Sequence, residues 1–250
     1  MSTSHVVTFH KCGSNWFRRL FREAAEINEL NILVSSPNSA TINTPVDRGS
    51  KHSLFLHRTS SAKAIKKIAH DDEPILLCVR DPKDVLISQY WSWKNTHKEN
   101  TPRIEESRKR LNELSFKMGL RYLARNELLP FCNAIRSWGP DIESGRAKLL
   151  KYEDLLASFG EVMPAALELV HTPLSSTQIS ELQEKYSFSS ITQRDTGTED
   201  QKSHYRKGVA GDWQNHFDAK LTELFNASYE DVCLMLDYSP AAVSQGTAQT

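Results

Sequence analysis

Thr8-Phe9-His10-Lys11-Cys12-Gly13-Ser14-Asn15-Trp16-Phe17-Arg18-Arg19-Leu20-Phe21 reads as a strand end, a tight turn and a helix. Val6, Val7 and Phe9 make a β-prone apolar run, Gly13 marks the turn, and Ser14 or Asn15 is a good N-cap. Phe17, Leu20, Phe21 and Ala24 or Ala25 then recur at helical spacing. A strand that turns straight into a helix presents unpaired N–H groups and the positive end of the helix dipole, a seat for an anion. Lys11, Ser14 and Asn15 add one mobile charge and two polar side chains there. The stretch is therefore read as a phosphate- or sulfate-binding loop.

Two other readings compete with it. The plainest is a capped turn with no ligand, as any α/β protein contains. The sharper one is a cysteine phosphatase loop, because Cys12 and Arg18 stand in a Cys-x5-Arg frame and a helix N-terminus would favour a thiolate. Bulky Trp16 and Phe17 speak against a loop that wraps a phosphate. A Walker A loop is ruled out, since the lysine precedes the glycine and no Gly-x4-Gly-Lys is present.

Further along, Asn31-Ile32-Leu33-Val34 and Ser53-Leu54-Phe55-Leu56-His57 predict two short strands, joined by a polar loop over residues 35–50. A helix is expected from Ala62 to Ala69. Pro74 to Val79 is an unbroken apolar run suited to a central parallel strand. It leads into Arg80-Asp81-Pro82-Lys83-Asp84-Val85-Leu86-Ile87-Ser88, where Pro82 fits a helix's first turn. Arg80 leaves the strand edge and Ser88 lies about two turns into the helix, so both can serve a second phosphate; an Arg80 ion pair with Asp81 or Asp84 is the alternative.

The charged span 97–127 carries one helical pattern, and its Arg103, Arg108, Lys109 and Arg110 read either as acceptor contacts or as a solvated face. A helix from Leu128 to Trp138 is expected to stop at Gly139-Pro140. Ala147 to Tyr152 predicts a strand closed by Glu153-Asp154, with helices near 159–170, 176–185 and 221–236. Tyr205 to Phe217 holds Arg206 and Lys207 before Gly208 and Gly211, a flexible basic loop or a solvated loop tip. His57 ends a strand, where ligands of α/β sheets gather and a neutral imidazole can take a proton. A packed histidine is the bland alternative.

At 250 residues the chain can bury a full core as one domain. Lysine plus arginine equal aspartate plus glutamate at 31 each, so no global field draws it to nucleic acid or membrane, and any anion site is local. Cys12, Cys78, Cys132 and Cys233 are dispersed without a CxxC, as in a reducing compartment. No apolar run approaches membrane length and no leader is evident near Met1, so a cytoplasmic protein is expected. No metal-ligand pattern stands out.

Taken together, these stretches resemble the PAPS-dependent sulfotransferase family (PAPS, 3′-phosphoadenosine 5′-phosphosulfate). Lys11 to Trp16 is similar to its 5′-phosphosulfate loop, Lys-Ser-Gly-Thr-Thr-Trp. Arg80 to Ser88 resembles its 3′-phosphate motif, and Arg206 to Phe217 its C-terminal closing segment. Tyr152-Glu153-Asp154-Leu155 matches the family's Tyr-Glu-Asp-Leu. His57 stands twenty-three positions before Arg80, close to the spacing of the family's catalytic histidine.

The resemblance implies a single α/β domain over residues 1–240, with a central parallel sheet flanked by helices as in P-loop nucleotide kinases. Residues 241–250 are read as a tail. It implies Lys11 on the bridging oxygen, and the amides of Cys12, Gly13, Ser14, Asn15 and Trp16 around the 5′-phosphate. Arg80, Ser88, Arg206, Lys207 and Gly208 are implied on the 3′-phosphate. Trp16, Tyr152 and Phe188 are implied near adenine, and His57 as general base. The implied activity is in-line transfer of a sulfuryl group from PAPS to a hydroxyl, or second an amine, of a small-molecule acceptor, leaving 3′-phosphoadenosine 5′-phosphate (PAP), with no metal. A non-catalytic nucleotide-binding module and a Cys12 phosphatase are the alternatives. The family's Lys-Thr-His is Phe55-Leu56-His57 here, and Cys12, Asn15 and Gln214 also depart from its pattern. Residues 35–53, 91–125 and 186–205 are the expected acceptor walls, whose ligand does not carry over.

Overall fold

The structure, a computed structural model, describes residues 3–35, 52–58, 61–98 and 101–242. The chain folds into two compact units, Met1–Arg80 with Asn133–Asp195, and Asp81–Cys132 with Thr196–Thr250. The polar loop 35–50 and the tail 241–250 lie largely outside the described residues.

The first unit holds a five-stranded parallel sheet: β1 (Thr3–Thr8), β2 (Asn31–Ser35), β3 (Ser53–Arg58), β4 (Ile75–Val79) and β5 (Ala147–Lys151), in the order β2-β3-β1-β4-β5. β1 is central, as its wholly buried run requires. Alternation then sends Val6, Leu54, Leu56, Leu76, Cys78 and Leu150 to one face. There they form one buried cluster with Phe17, Leu20, Phe21, Ala24 and Ala25 of helix α1 (Ser14–Ile27). His5, Phe55 and His57 belong to the other face, and all three are fully buried. Thr8 pairs with Arg58 and Cys78, and Val79 with Lys151, so the carboxyl ends of four strands are level.

Several sequence expectations change here. The helix after Ser61 is a single turn, α2 (Ala62–Ile65). The pattern over 97–127 is two helices of the second unit, following α3 (Pro82–Trp91): α4 (Pro102–Glu113) and α5 (Phe116–Asn126). Leu114 and Ser115, both extended, break it. The helix α6 (Leu129–Arg136) stops just before Gly139-Pro140, as expected, and the same pair opens a further short helix, α7 (Gly139–Glu143), because proline tolerates the first turn. Tyr152 begins helix α8 (Tyr152–Leu169) instead of ending β5, with Glu153 and Asp154 at the dipole's positive end and a kink at Ser158. α9 (Ser176–Lys185) and α10 (Phe188–Thr192) complete the first unit, and α11 (Ala219–Met235) packs in the second.

Candidate active site

The loop after β1 turns sharply into helix α1. Lys11 (φ 65°) and Gly13 (φ 79°) both take left-handed backbone, and the Cys12 N–H donates to the Phe9 carbonyl at 3.2 Å. Gly13 is the N-cap of α1, and among the described residues no side chain caps that helix. The first intrahelical bond is Phe17 N–H to Gly13 C=O (3.0 Å), so the amides of Gly13 to Trp16 belong to the open first turn. A Cβ on Gly13 would stand 2.9 Å from Tyr152 Cδ2, which leaves no room for a side chain. With the Cys12 amide engaged, the donors suited to a 5′-phosphate are those of Gly13 to Trp16.

Cys12 itself is buried, and burial pushes its thiol far above the ordinary range, outweighing the nearby Arg80 charge. A phosphatase nucleophile needs the opposite, an accessible thiol with a lowered pKa. The Cys-x5-Arg frame is coincidental.

His57 pairs with Val7 in the β1–β3 register, and the hydroxyl of Thr8 donates to the His57 carbonyl at 2.9 Å. Thr8 is the last residue of β1 before the anion loop, so strand pairing and this bond fix His57 beside the loop's root. The imidazole is fully buried and stacks parallel to Phe55, ring centroids 5.3 Å apart. Its Nε2 lies 2.9 Å from Nδ1 of His5, whose Nε2 lies 2.9 Å from Glu73 Oε2. Burial, and then the neighbouring His5, hold His57 well below the usual imidazole range, so it is neutral at neutral pH.

At the end of β4 the Arg80 guanidinium sits 4.7 Å over the Tyr152 ring, with Glu153 4.0 Å from its Nε. Arg80 is thus ion-paired with Glu153. Trp16 meets the Tyr152 ring edge-on at 5.4 Å and donates from Nε1 to the Tyr186 carbonyl (2.9 Å). Tyr186 precedes Phe188, which begins α10 under the Arg194 guanidinium at 5.2 Å. Within the first unit, then, Lys11 to Trp16, His57, Arg80 and Tyr152 belong to the carboxyl edge of the sheet.

In the second unit, Ser88 is the one accessible side chain of α3 between Pro82 and Tyr90. One turn earlier on the same face, Asp84 accepts the backbone N–H groups of Gly211 (2.8 Å) and Trp213 (2.9 Å). The Arg206 to Gly208 segment is thereby tethered to the helix that carries Ser88. Gly208 has φ 68°. Arg206 pairs with Asp212 and with Glu199 (2.7 Å), and Lys207 with Asp212 (2.7 Å). Asp212 is buried; these cations and His216 hold its carboxyl far below the usual range against the cost of burial. The basic run of α4 is mostly a solvated face: Arg103, Lys109 and Arg110 are exposed, Arg103 pairing with Glu127 (2.5 Å), and only Arg108 turns in, to the Trp93 carbonyl (2.7 Å).

Sequence reasoning missed His5, Glu73, Asp84 and Asp212. Asp84 and Asp212 stood inside motifs already singled out. His5, two positions ahead of Val7 in β1 and so on its face of the strand, was the legible sign of a polar group in a buried sheet.

Comparison with known proteins agrees with this geometry. The family model described as "Sulfotransferase domain" matches residues 3–238, which spans both units. Human sulfotransferase 2A1 is 22% identical over 245 residues, covering 90% of this chain and 82% of its own length. The 3-beta-hydroxysteroid sulfotransferase of Cavia porcellus is 22% identical over 236 residues, with 90% and 72% covered. Among solved structures, mouse sulfotransferase SULT7A1 complexed with PAP superposes with a TM-score of 0.68 at 17% identity, over 94% of this chain and 88% of that one. A retinol dehydratase in complex with retinol and PAP gives 0.58 at 15% identity, over 96% and 82%.

The chain belongs to the sulfotransferase family. It is a PAPS-dependent sulfotransferase built on an α/β fold with a central parallel sheet. Among the described residues no cluster of metal-binding side chains occurs, and no helix is long and apolar enough to cross a membrane.

Proposed function

We propose that this sulfotransferase transfers the sulfuryl group of PAPS in line to a hydroxyl of a small-molecule acceptor, with His57 as general base. PAPS supplies an activated sulfur whose bond to the bridging oxygen breaks as the acceptor oxygen attacks. His57, neutral and fixed beside the anion loop, takes the acceptor's proton. Lys11 offsets charge growing on the leaving oxygen, and the first-turn amides of α1 with Ser14 and Asn15 hold the 5′-phosphate. The helix N-terminus at Gly13, which no side chain caps among the described residues, fits such a group. Arg80, Ser88, Arg206, Lys207 and Gly208 are assigned to the 3′-phosphate by the family motifs they match. Trp16, Tyr152 and Phe188 are assigned to adenine in the same way, and residues 1–240 to the domain.

The observation that carries the reading is the bond from Thr8 to the His57 carbonyl, which couples a neutral histidine to the root of an anion loop. Relatives named for hydroxysteroids, and a neighbour crystallised with retinol, favour an alcohol over an amine as acceptor. Four buried, unbridged cysteines suit the cytoplasm. The test is a screen of radiolabelled PAPS against hydroxysteroids, retinol, phenols and amines, repeated with His57→Ala. Turnover by the variant should fall about 10²–10⁴-fold with unchanged PAP affinity. Equal turnover removes His57 as base.

A further inference from the structure

Two buried groups behind His57 have no place in the reaction as described so far. His5 and Glu73 are 0% and 5% exposed, and buried polar side chains are costly to keep unless they are paired. Here they continue a chain of hydrogen bonds from His57: Nε2 to His5 Nδ1 at 2.9 Å, then His5 Nε2 to Glu73 Oε2 at 2.9 Å. The chain runs along one face of the sheet, from the residue before Pro74 and β4 across central β1 to the end of β3. The three rings of His5, Phe55 and His57 stack nearly parallel, at 14° and 16° for the two pairs that include His5. Glu73 Oε2 also accepts the His70 N–H (2.8 Å), which fixes the carboxylate.

We propose that Glu73 and His5 are positioning residues that hold His57 in its Nε2–H tautomer and leave the basic lone pair on Nδ1. The inference rests on His57 being the base. The direction follows from donor counting. Glu73 as carboxylate only accepts, so a neutral His5 carries its proton on Nε2 and has a lone pair on Nδ1. That lone pair requires a donor, so His57 carries its proton on Nε2. The lone pair of its ring is then on Nδ1, the nitrogen this proposal assigns to the acceptor's proton. As His57 becomes an imidazolium, His5 still accepts from Nε2 and Glu73 stabilises the charge through it. His57 holds the hydroxyl's proton on Nδ1 while the acceptor oxygen bonds to sulfur and the bridging oxygen leaves with its electron pair. No oxidant or metal enters.

Glu73 lies near His52, whose Nε2 bonds the Ser4 hydroxyl at 3.0 Å, and His52 is in edge contact with His171. Neither meets His57 in the bonds above.

The test reads the tautomer directly, in the full chain with nitrogen-15 histidine, by long-range proton–nitrogen correlation, with His57→Ala assigning the signal. The wild type should show His57 with a protonated Nε2 and a bare Nδ1. His5→Phe, which keeps a ring against Phe55, should abolish that preference. It should also lower kcat for PAP release from PAPS, with 2-naphthol or water as acceptor, at least about tenfold while PAP affinity holds. Glu73→Ala removes the acceptor and should abolish the preference and lower the rate, and Glu73→Gln, which can accept from His5 but carries no charge and can also donate, should fall between it and the wild type. That pair decides the matter if His5→Phe does not fold. A protonated Nδ1 in the wild type, or Glu73→Ala with unchanged tautomer and rate, overturns the proposal. Full turnover by His57→Ala would instead overturn the base, and the tautomer readout separates the two outcomes.

Discussion

Asp84 holds Gly211 in place: its Oδ2 accepts the Gly211 N–H at 2.8 Å, and its Oδ1 takes the next tie at Trp213. An aspartate read from sequence as part of a phosphate motif is thus the anchor of a distant loop. Asp84→Ala leaves two backbone donors without partners, at about 1–3 kcal/mol each where they are buried. The melting temperature should fall, and PAP should bind about tenfold or more weakly because the Arg206 to Gly208 segment is loosened. Thermal unfolding and calorimetry check both; an unchanged PAP affinity would detach this segment from the donor site.

Gly13 combines a left-handed backbone with the Tyr152 ring 2.9 Å from where a Cβ would stand. Gly13→Ala should cost about 1–3 kcal/mol from strained backbone alone. It should also weaken PAP binding, because the first turn of α1 shifts. Urea denaturation gives the stability, and a variant as stable as wild type would mean that the loop relaxes freely.

The four cysteines are buried, and burial raises the thiols of Cys12, Cys78 and Cys233, the last to about 12. Iodoacetamide at neutral pH should therefore leave the folded chain unmodified and label all four thiols in denaturant. Rapid, selective alkylation of Cys12, read by peptide mass, would revive a nucleophilic role for it.

His57 has a folded pKa below its ordinary value of 6.5, so as pH falls through 6.5 the unfolded chain gains a proton that the folded one refuses. Its contribution to stability is present above 6.5 and declines below it, by at most about 1.4 kcal/mol per pH unit. Asp81 acts in the opposite sense: burial raises it from 3.8 to about 6, so its effect favours the fold more as pH falls through that window. The histidine effect sets in at the higher pH, so the offset from Asp81 is smallest between about 6.5 and 7. Denaturation across this range should show a downward slope on acidification that His57→Leu flattens; the same slope in the variant would assign it elsewhere.

The parallel sheet was legible because its strands are short apolar runs ending in chemistry: Thr8 before the loop, His57 on β3, Arg80 after β4. The Pro74–Val79 run and the Lys11–Trp16 turn announced themselves by composition alone. Tyr152 was misread as a strand end because the Glu153-Asp154 pair looks like a loop, although acids also suit a helix's first turn. At Gly139-Pro140 the stop was legible and the short helix that starts there was not: proline stops helices and also starts them. The His5–Glu73 chain was illegible because its members are 68 residues apart and meet only through strand register. Asp212 was hidden by the cations beside it, whose charge it neutralises.

The most direct measurement is calorimetric binding of PAP beside AMP, which lacks the 3′-phosphate. The account predicts that PAP binds about a hundredfold or more tightly than AMP, since each charge-assisted bond from Arg80 and its fellow residues is worth about 1.5–3 kcal/mol. Arg80→Ala should erase much of that difference while leaving AMP affinity nearly unchanged. Equal binding of PAP and AMP by the folded wild-type chain would contradict the 3′-phosphate assignment, and with it the donor site proposed here.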